Sequence, residues 1–180
     1  MRTFIALPLP SEARAAAKSF MESWRVRCLD STISWSRPEN FHITLRFIGE
    51  ADEAAIPPIS ECLRAAAAQC GPLTLAFTGP ECFPSEQRAK VLVLATTCSP
   101  ALLNLVNELD YRLAQWKFGA RDKAFLSHVT IGRVRRWNDV MGLPPFGNSF
   151  EWSVDRIGLY RSHLTTHGSR YDLIYEVPLD

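Results

Sequence analysis

Residues 41–49 have the sequence FHITLRFIG and residues 127–134 have the sequence SHVTIGRV, so the pattern His-x-Thr followed by an apolar residue occurs in both. Side chains of a β-strand alternate between its two faces. Each stretch is therefore expected to present its histidine and its threonine on one face, while the apolar residues bury the other. The four side chains are His42, Thr44, His128 and Thr130.

The two motifs lie 86 residues apart (128 − 42), about half the chain, as expected if each half contributes one. A single histidine of this kind is usually a hydrogen-bonded core residue, and a threonine is a common strand residue. Their pairing in matching contexts favours function instead. Two imidazoles can donate and accept protons near neutral pH, and two hydroxyls can bind one small anion. This set of groups suits phosphodiester chemistry without a metal.

A third copy of the pattern, His163-Leu164-Thr165, lies in a stretch rich in polar residues and glycine. We interpret it as a strand end with a turn at His167-Gly168, and we expect it to take no part in catalysis. His163 and His167 have the spacing of a metal site on a helix, but a hairpin turn is the favoured structure here. We therefore expect no metal site and no cofactor.

Two arginines are candidate substrate ligands. Arg46 continues the face of His42 and Thr44, so it could contact the anion or the RNA backbone, or it could face solvent. Regular alternation places Arg133 opposite His128, unless Gly132 introduces a bulge that returns it to the same face. Two aromatic residues, Trp35 and Phe41, could stack on a base, although such residues in strands usually belong to the core.

The chain has 180 residues, of which 47% are hydrophobic and 22% charged, as expected for one globular domain over residues 1–180. No stretch approaches 18 apolar residues, and residues 4–10 resemble a first strand more than a signal peptide, so no membrane association is expected. Five scattered cysteines, an odd number, predict reduced thiols and a cytoplasmic protein.

The net charge of +1 argues against a general nucleic-acid binder. Residues 112–136, however, contain seven basic residues and one acid, Asp122. This stretch is either a solvated face or a positive field that attracts phosphate toward His128. The seven are Arg112, Lys117, Arg121, Lys123, Arg133, Arg135 and Arg136.

Apolar periodicity and turn residues predict long helices between short strands, without strict βαβ alternation. This pattern is typical of an α+β protein with antiparallel sheets. Residues 137–148 are predicted as a loop. Helices are expected near 11–24, 52–70 and 100–116, and strands near 3–7, 33–36, 41–48, 73–77, 91–95, 128–134, 151–162 and 171–177.

The chain resembles the two-histidine phosphoesterases, and most closely the RNA 2′,3′-cyclic phosphodiesterases, formerly called 2′-5′ RNA ligases. The resemblance rests on residues 1–10, 35–50, 127–134 and 159–179. Many relatives have proline where this chain has Ser127, a position outside the reacting groups. The resemblance implies two pseudo-symmetric lobes whose antiparallel sheets line a central cleft, with helices packed outside.

The resemblance also implies hydrolysis of RNA or nucleotide 2′,3′-cyclic phosphates to 2′-phosphomonoesters, with His42 as proton donor and His128 as acceptor. Thr44 and Thr130 would bind the phosphate, and the same site could run in reverse as a 2′-5′ RNA ligase. The expected partners are RNA 3′ ends, such as tRNA fragments, bound by a monomer. The alternatives are a cyclic phosphodiesterase of small nucleotides, such as ADP-ribose cyclic phosphate, and a non-catalytic RNA-end-binding module.

Overall fold

The computed structural model describes residues 1–28, 33–121, 123–135, 143–147, 149–165 and 168–180. These residues form nine strands, three α-helices and three short 3₁₀ helices. The 3₁₀ helices are Pro38–Asn40, Glu53–Ala55 and Glu86–Arg88. The longer elements are β1 (Arg2–Pro8), α1 (Ser11–Arg27), β2 (Ile33–Trp35), β3 (His42–Glu50), α2 (Ile56–Ala67), β4 (Leu73–Phe83), β5 (Val91–Thr96), α3 (Pro100–Gln115), β6 (His128–Val134), β7 (Glu151–Val154), β8 (Arg156–Thr165) and β9 (Gly168–Pro178).

The strands form an antiparallel sheet in the order β7-β4-β5-β6-β3-β1-β8-β9, and β2 pairs with the end of β6. The prediction of an α+β fold is thereby confirmed. The order divides the sheet into two halves of four strands, and the two motif strands β3 and β6 meet at the centre. Ile43 of β3 lies directly opposite Val129 of β6.

The burial pattern of the motif strands distinguishes their two faces. Ile43 and Val129 are fully buried in a core that also contains the apolar side of α3. Ser99 caps α3 by accepting a hydrogen bond from the Leu102 amide at 3.2 Å, so that helix begins where its apolar stripe begins. The motif histidines and threonines on the other face are only half-buried.

Two predicted elements differ from the structure. The single strand expected over 151–162 is two strands, because β7 pairs with β4 whereas β8 pairs with β1 and β9. The strand expected over 73–77 continues to Phe83, because its pairing with β5 extends that far. Most of the predicted loop, and His167 in the predicted turn, lie outside the described residues. No described helix is long and apolar enough to cross a membrane.

Candidate active site

The register of β3 and β6 brings the two motifs together. Next to the pair formed by Ile43 and Val129, the antiparallel register places His42 beside Thr130 and Thr44 beside His128. Neighbouring side chains of this kind on one face of a sheet lie about 5 Å apart at their Cβ atoms. The structure therefore assembles both imidazoles and both hydroxyls on one face, at the junction of the two halves.

The two histidines are held in the same way. Nδ1 of His42 lies 2.6 Å from the carbonyl oxygen of Asn40, and Nδ1 of His128 lies 2.7 Å from that of Leu126. Because a carbonyl can only accept, Nδ1 carries the hydrogen in both rings, and Nε2 is the basic nitrogen of the neutral form. The Thr44 hydroxyl lies 2.9 Å from Nε2 of His42 and donates to it.

Burial lowers the pKa of His42 from 6.5 to about 4, with smaller contributions from the charges of His128 and Arg133. Burial also lowers the pKa of His128, whereas the carboxylate of Glu81 raises it in part. The hydrogen bond from each Nδ1 to its carbonyl acts against the shift in both cases. Both imidazoles are therefore neutral at neutral pH.

Aromatic rings cause much of this desolvation. The ring of Phe4 lies 4.9 Å from that of His42, and Tyr171 of β9 meets His42 edge-on at 5.2 Å. On the other side of the site, Phe83 meets His128 edge-on, also at 5.2 Å. These rings shield the two imidazoles from water.

Arg133 lies on the face of the motif side chains because β6 contains a bulge. Thr130 pairs with Val93 and Gly132 with Leu92, so Ile131 has no partner in β5. The extra residue reverses the alternation and turns Arg133 toward the side of His128 and Thr130. Its positive charge lowers the pKa of both histidines, as expected for a cation on this face of the sheet.

Arg46 does not lie on this face, and the expectation that it could contact the anion is wrong. The register of β1 and β3 skips Leu45, and this bulge turns Arg46 toward α3. Arg46 is 5% exposed, forms an ion pair with Asp110 at 3.1 Å and donates to the carbonyl oxygens of Phe118 and Gly119. It is thus a buried structural cation.

The third motif copy lies elsewhere. Ser162 of β8 pairs with Arg2 and lies on the same face of the sheet as the two motif histidines. Because side chains alternate along a strand, the next residue, His163, lies on the opposite face. Nε2 of His163 lies 2.9 Å from Asp172, on the neighbouring strand. Among the described residues, no three histidine, cysteine or acidic side chains are close enough to hold a metal ion.

Trp35 and Phe41 do not provide a surface for stacking a base. Phe41 is buried in the core, and Trp35 packs edge-on against Trp24 at 6.4 Å. The core interpretation of both residues is therefore the one that the structure supports.

Two basic residues in the described part of the basic stretch, residues 112–136, are paired with acids. Arg112 is paired with Glu108 at 2.6 Å and Arg121 with Asp110 at 2.8 Å. Arg136 and Asp122 lie outside the described residues. Of the six basic residues in this stretch that the structure describes, Arg133 is the one placed by its strand register on the face of the motif histidines.

The residues near the motifs that were not predicted from the sequence include Phe47, Glu81 and Tyr171. Phe47 is 69% exposed and pairs with Phe4, on the face of His42. Glu81 pairs with Val93, in the same row across the sheet as Thr130. Tyr171 is about 130 residues from His42 in sequence, so no local signal links the two. Phe47 could have been found as a large apolar residue at a strand position that does not face the core.

Comparison with known proteins places these observations in a family. Residues 7–93 match the LigT-like phosphoesterases. The chain is 32% identical to the RNA 2′,3′-cyclic phosphodiesterase of Thermotoga maritima, over 98% of this chain and 94% of that protein. It is 30% identical to the protein of the same name from Archaeoglobus fulgidus, over 95% of this chain and 96% of that protein.

Solved structures show the same fold. The crystal structure of TT0787 of Thermus thermophilus superposes with a TM-score of 0.88 and 26% identity, covering 99% of this chain and 98% of that one. Escherichia coli LigT in its apo form superposes with a TM-score of 0.75 and 23% identity, covering 98% and 96%. On sequence and fold together, the chain belongs to the LigT-like phosphoesterase family.

Proposed function

We propose that this protein is an RNA 2′,3′-cyclic phosphodiesterase, which opens the cyclic phosphate at RNA 3′ ends or on nucleotides to give a 2′-phosphomonoester. The observation that carries the proposal is the pair of imidazoles, His42 and His128, on one face of the sheet, each with Nδ1 held by a main-chain carbonyl. The relatives of the same name, similar over nearly the whole chain, support it.

In the proposed reaction, water attacks phosphorus and the bond from phosphorus to the ribose O3′ breaks. His128 accepts the proton of the water, and His42 donates a proton to O3′, so the phosphate remains on O2′. In-line displacement places the base and the acid on opposite sides of the phosphorus. The two imidazoles, on either side of the pair formed by Ile43 and Val129, suit that requirement. The mechanism needs neither a metal nor a covalent intermediate.

The electrostatics of the site support these roles. Glu81 favours the protonated form of His128, and so stabilises the imidazolium that forms when this ring accepts a proton. Once protonated, a ring with a pKa of about 4, such as His42, is a stronger acid than an ordinary imidazolium. The negative charge of a bound phosphodiester raises the pKa of His42 toward the range in which it carries the proton.

The remaining groups on the same face would bind the substrate. Thr44, Thr130 and Arg133 offer hydroxyl and guanidinium donors to the non-bridging phosphate oxygens, where charge increases in the transition state. The exposed ring of Phe47 and the neighbouring Tyr171 offer a surface for the nucleobase. In the reverse direction, a 5′-hydroxyl in place of water would attack the same phosphorus and form a 2′-5′ linkage.

The test is turnover of an oligoribonucleotide that ends in a 2′,3′-cyclic phosphate, compared with ADP-ribose cyclic phosphate, and product analysis by phosphorus NMR. The expected product is the 2′-phosphomonoester. A 3′-phosphate would overturn the placement of the proton donor, while the pairing of the two histidines would stand. Binding of the RNA end without turnover would overturn the enzymatic proposal, and exclusive turnover of ADP-ribose cyclic phosphate would overturn the RNA assignment.

A further inference from the structure

A three-residue ion cluster lies behind the motif strands, on the side of the sheet that faces α3. The carboxylate of Asp110 in α3 contacts two guanidinium groups, with Arg46 Nη1 at 3.1 Å and Arg121 Nε at 2.8 Å. Arg46 is almost fully buried, and Asp110 and Arg121 are mostly so. One carboxylate thus pairs with both cations, and it is the group on which the cluster depends.

The cluster joins the first motif strand to the chain that precedes the second. Arg46 belongs to β3 and donates from Nη2 to the carbonyl oxygens of Phe118 and Gly119, at 3.0 and 2.7 Å. Arg121 makes the reverse connection, because its Nη2 donates to the carbonyl oxygen of Leu45 at 2.6 Å. Leu45 is the bulged residue of β3, left without a partner in β1.

Arg121 also contacts the segment that directly precedes His128. The guanidinium of Arg121 lies over the ring of Phe125, 5.6 Å from its centre. Phe125 directly precedes Leu126, whose carbonyl oxygen accepts the hydrogen bond from Nδ1 of His128 at 2.7 Å. A continuous series of contacts therefore leads from Asp110, through Arg121 and Phe125, to the group that orients the ring of His128.

We propose that Asp110 is a positioning residue for His128. With Arg46 and Arg121 it fixes the chain before β6, so that the Leu126 carbonyl holds Nδ1–H of His128 and directs Nε2 toward the substrate. The inference rests on the proposed role of His128 as proton acceptor. Without the carboxylate, two neighbouring guanidinium groups repel each other in a poorly hydrated place, and their contacts with Phe118, Gly119 and Phe125 weaken.

The test is Asp110→Asn, with Glu108→Gln as the matched control. Glu108 lies on the same helix and pairs with Arg112 at 2.6 Å, with similar exposure. Among the described residues, no hydrogen bond or ion pair joins this pair to the motif strands. Asp110→Asn should lower kcat about tenfold to a hundredfold while KM changes less than about twofold, since small displacements of a catalytic group have effects of this size. Glu108→Gln should change neither parameter.

Two further readouts separate positioning from general stability. The limb of the pH profile that disappears in His128→Ala should move in Asp110→Asn, while the other limb stays. Nitrogen NMR of the free protein should show a weakened preference for Nδ1–H at His128 and an unchanged one at His42. The NMR measurement needs no turnover, so it tests the inference even if the proposed activity fails.

If Asp110→Asn does not fold, Arg121→Lys serves in its place. It retains the charge but cannot contact Asp110 and Leu45 together. The expected changes have the same direction and are smaller. A His128 tautomer and a pH profile equal to those of Glu108→Gln would overturn the proposal.

Discussion

Phe47 and Arg133 occupy equivalent positions in the two motif strands, each five residues after its histidine and three after its threonine. Each reaches the face of the histidines because a bulge interrupts the preceding alternation, at Leu45 in β3 and at Ile131 in β6. The site is therefore symmetric in its histidines and asymmetric in these flanking groups. A cation on one side and an aromatic ring on the other would give a bound nucleotide one orientation.

Phe47→Ala should raise KM for a nucleoside 2′,3′-cyclic phosphate about tenfold, because a base stacked on an aromatic ring contributes about 1–3 kcal/mol. KM for ribose 2′,3′-cyclic phosphate, which has no base, should change little. The matched control is Tyr111→Ala, since Tyr111 is 65% exposed on α3, away from the site. Equal effects on the two substrates would show that Phe47 does not contact the base.

Arg133→Gln should lower kcat about 10²-fold, as expected when a donor to the developing phosphate charge is removed. It should also move both limbs of the pH profile to higher pH, because the Arg133 charge lowers the pKa of both histidines. Arg135→Gln, two residues further along the chain, is the control. Limbs that stay in place would mean that Arg133 lies further from the rings in solution.

His42→Ala and His128→Ala should each reduce kcat at least about 10²-fold, the smallest loss expected for an essential general acid or base. Circular dichroism should show an intact fold, since both side chains lie outside the hydrophobic core of the sheet. His163→Ala should leave kcat nearly unchanged, because this ring lies on the other face and pairs with Asp172. A loss in His163→Ala equal to that in His42→Ala would show that the wrong pair was assigned.

The pH dependence follows from the direction of the two pKa shifts. A lowered histidine pKa means that the ring loses its proton at lower pH, so above pH 6.5 both rings are neutral and the donor is uncharged. The kcat/KM profile should therefore be bell-shaped with its maximum below pH 6.5. Its two apparent pKa values describe the two interacting histidines together, not one residue each. The kcat profile should lie at higher pH, because the bound phosphodiester anion raises both pKa values. A kcat/KM that still increases above pH 8 would contradict these shifts.

Activity should survive EDTA, because two imidazoles provide both the acid and the base that ring opening requires. The described residues also contain no group of three metal-ligating side chains. The measurement compares initial rates before and after dialysis against the chelator. Loss of activity that zinc or manganese restores would reject the metal-free mechanism.

The motif strands and the shared face of His42 and Thr44 could be predicted from sequence because they depend only on alternation over three residues. Alternation fails at a bulge, and Arg46 shows the consequence. Gly132 indicated a possible bulge in β6, so a position of Arg133 on the face of the histidines could be predicted as an alternative. No glycine precedes Arg46, and the partner that holds it, Asp110, lies 64 residues further along the chain (110 − 46). Such a contact follows from the packing of α3 on the sheet, which no local pattern encodes.

The hydrogen bonds from Nδ1 of the two histidines end on main-chain oxygens, those of Asn40 and Leu126. Every amino acid has this oxygen, so substitution at either position leaves the acceptor itself in place. A change of side chain at Asn40 or Leu126 therefore leaves the tautomer of each histidine unchanged. The tautomer depends instead on the path of the backbone. Family members could differ freely at these two positions and keep the same proton chemistry, provided that their loops follow the same path.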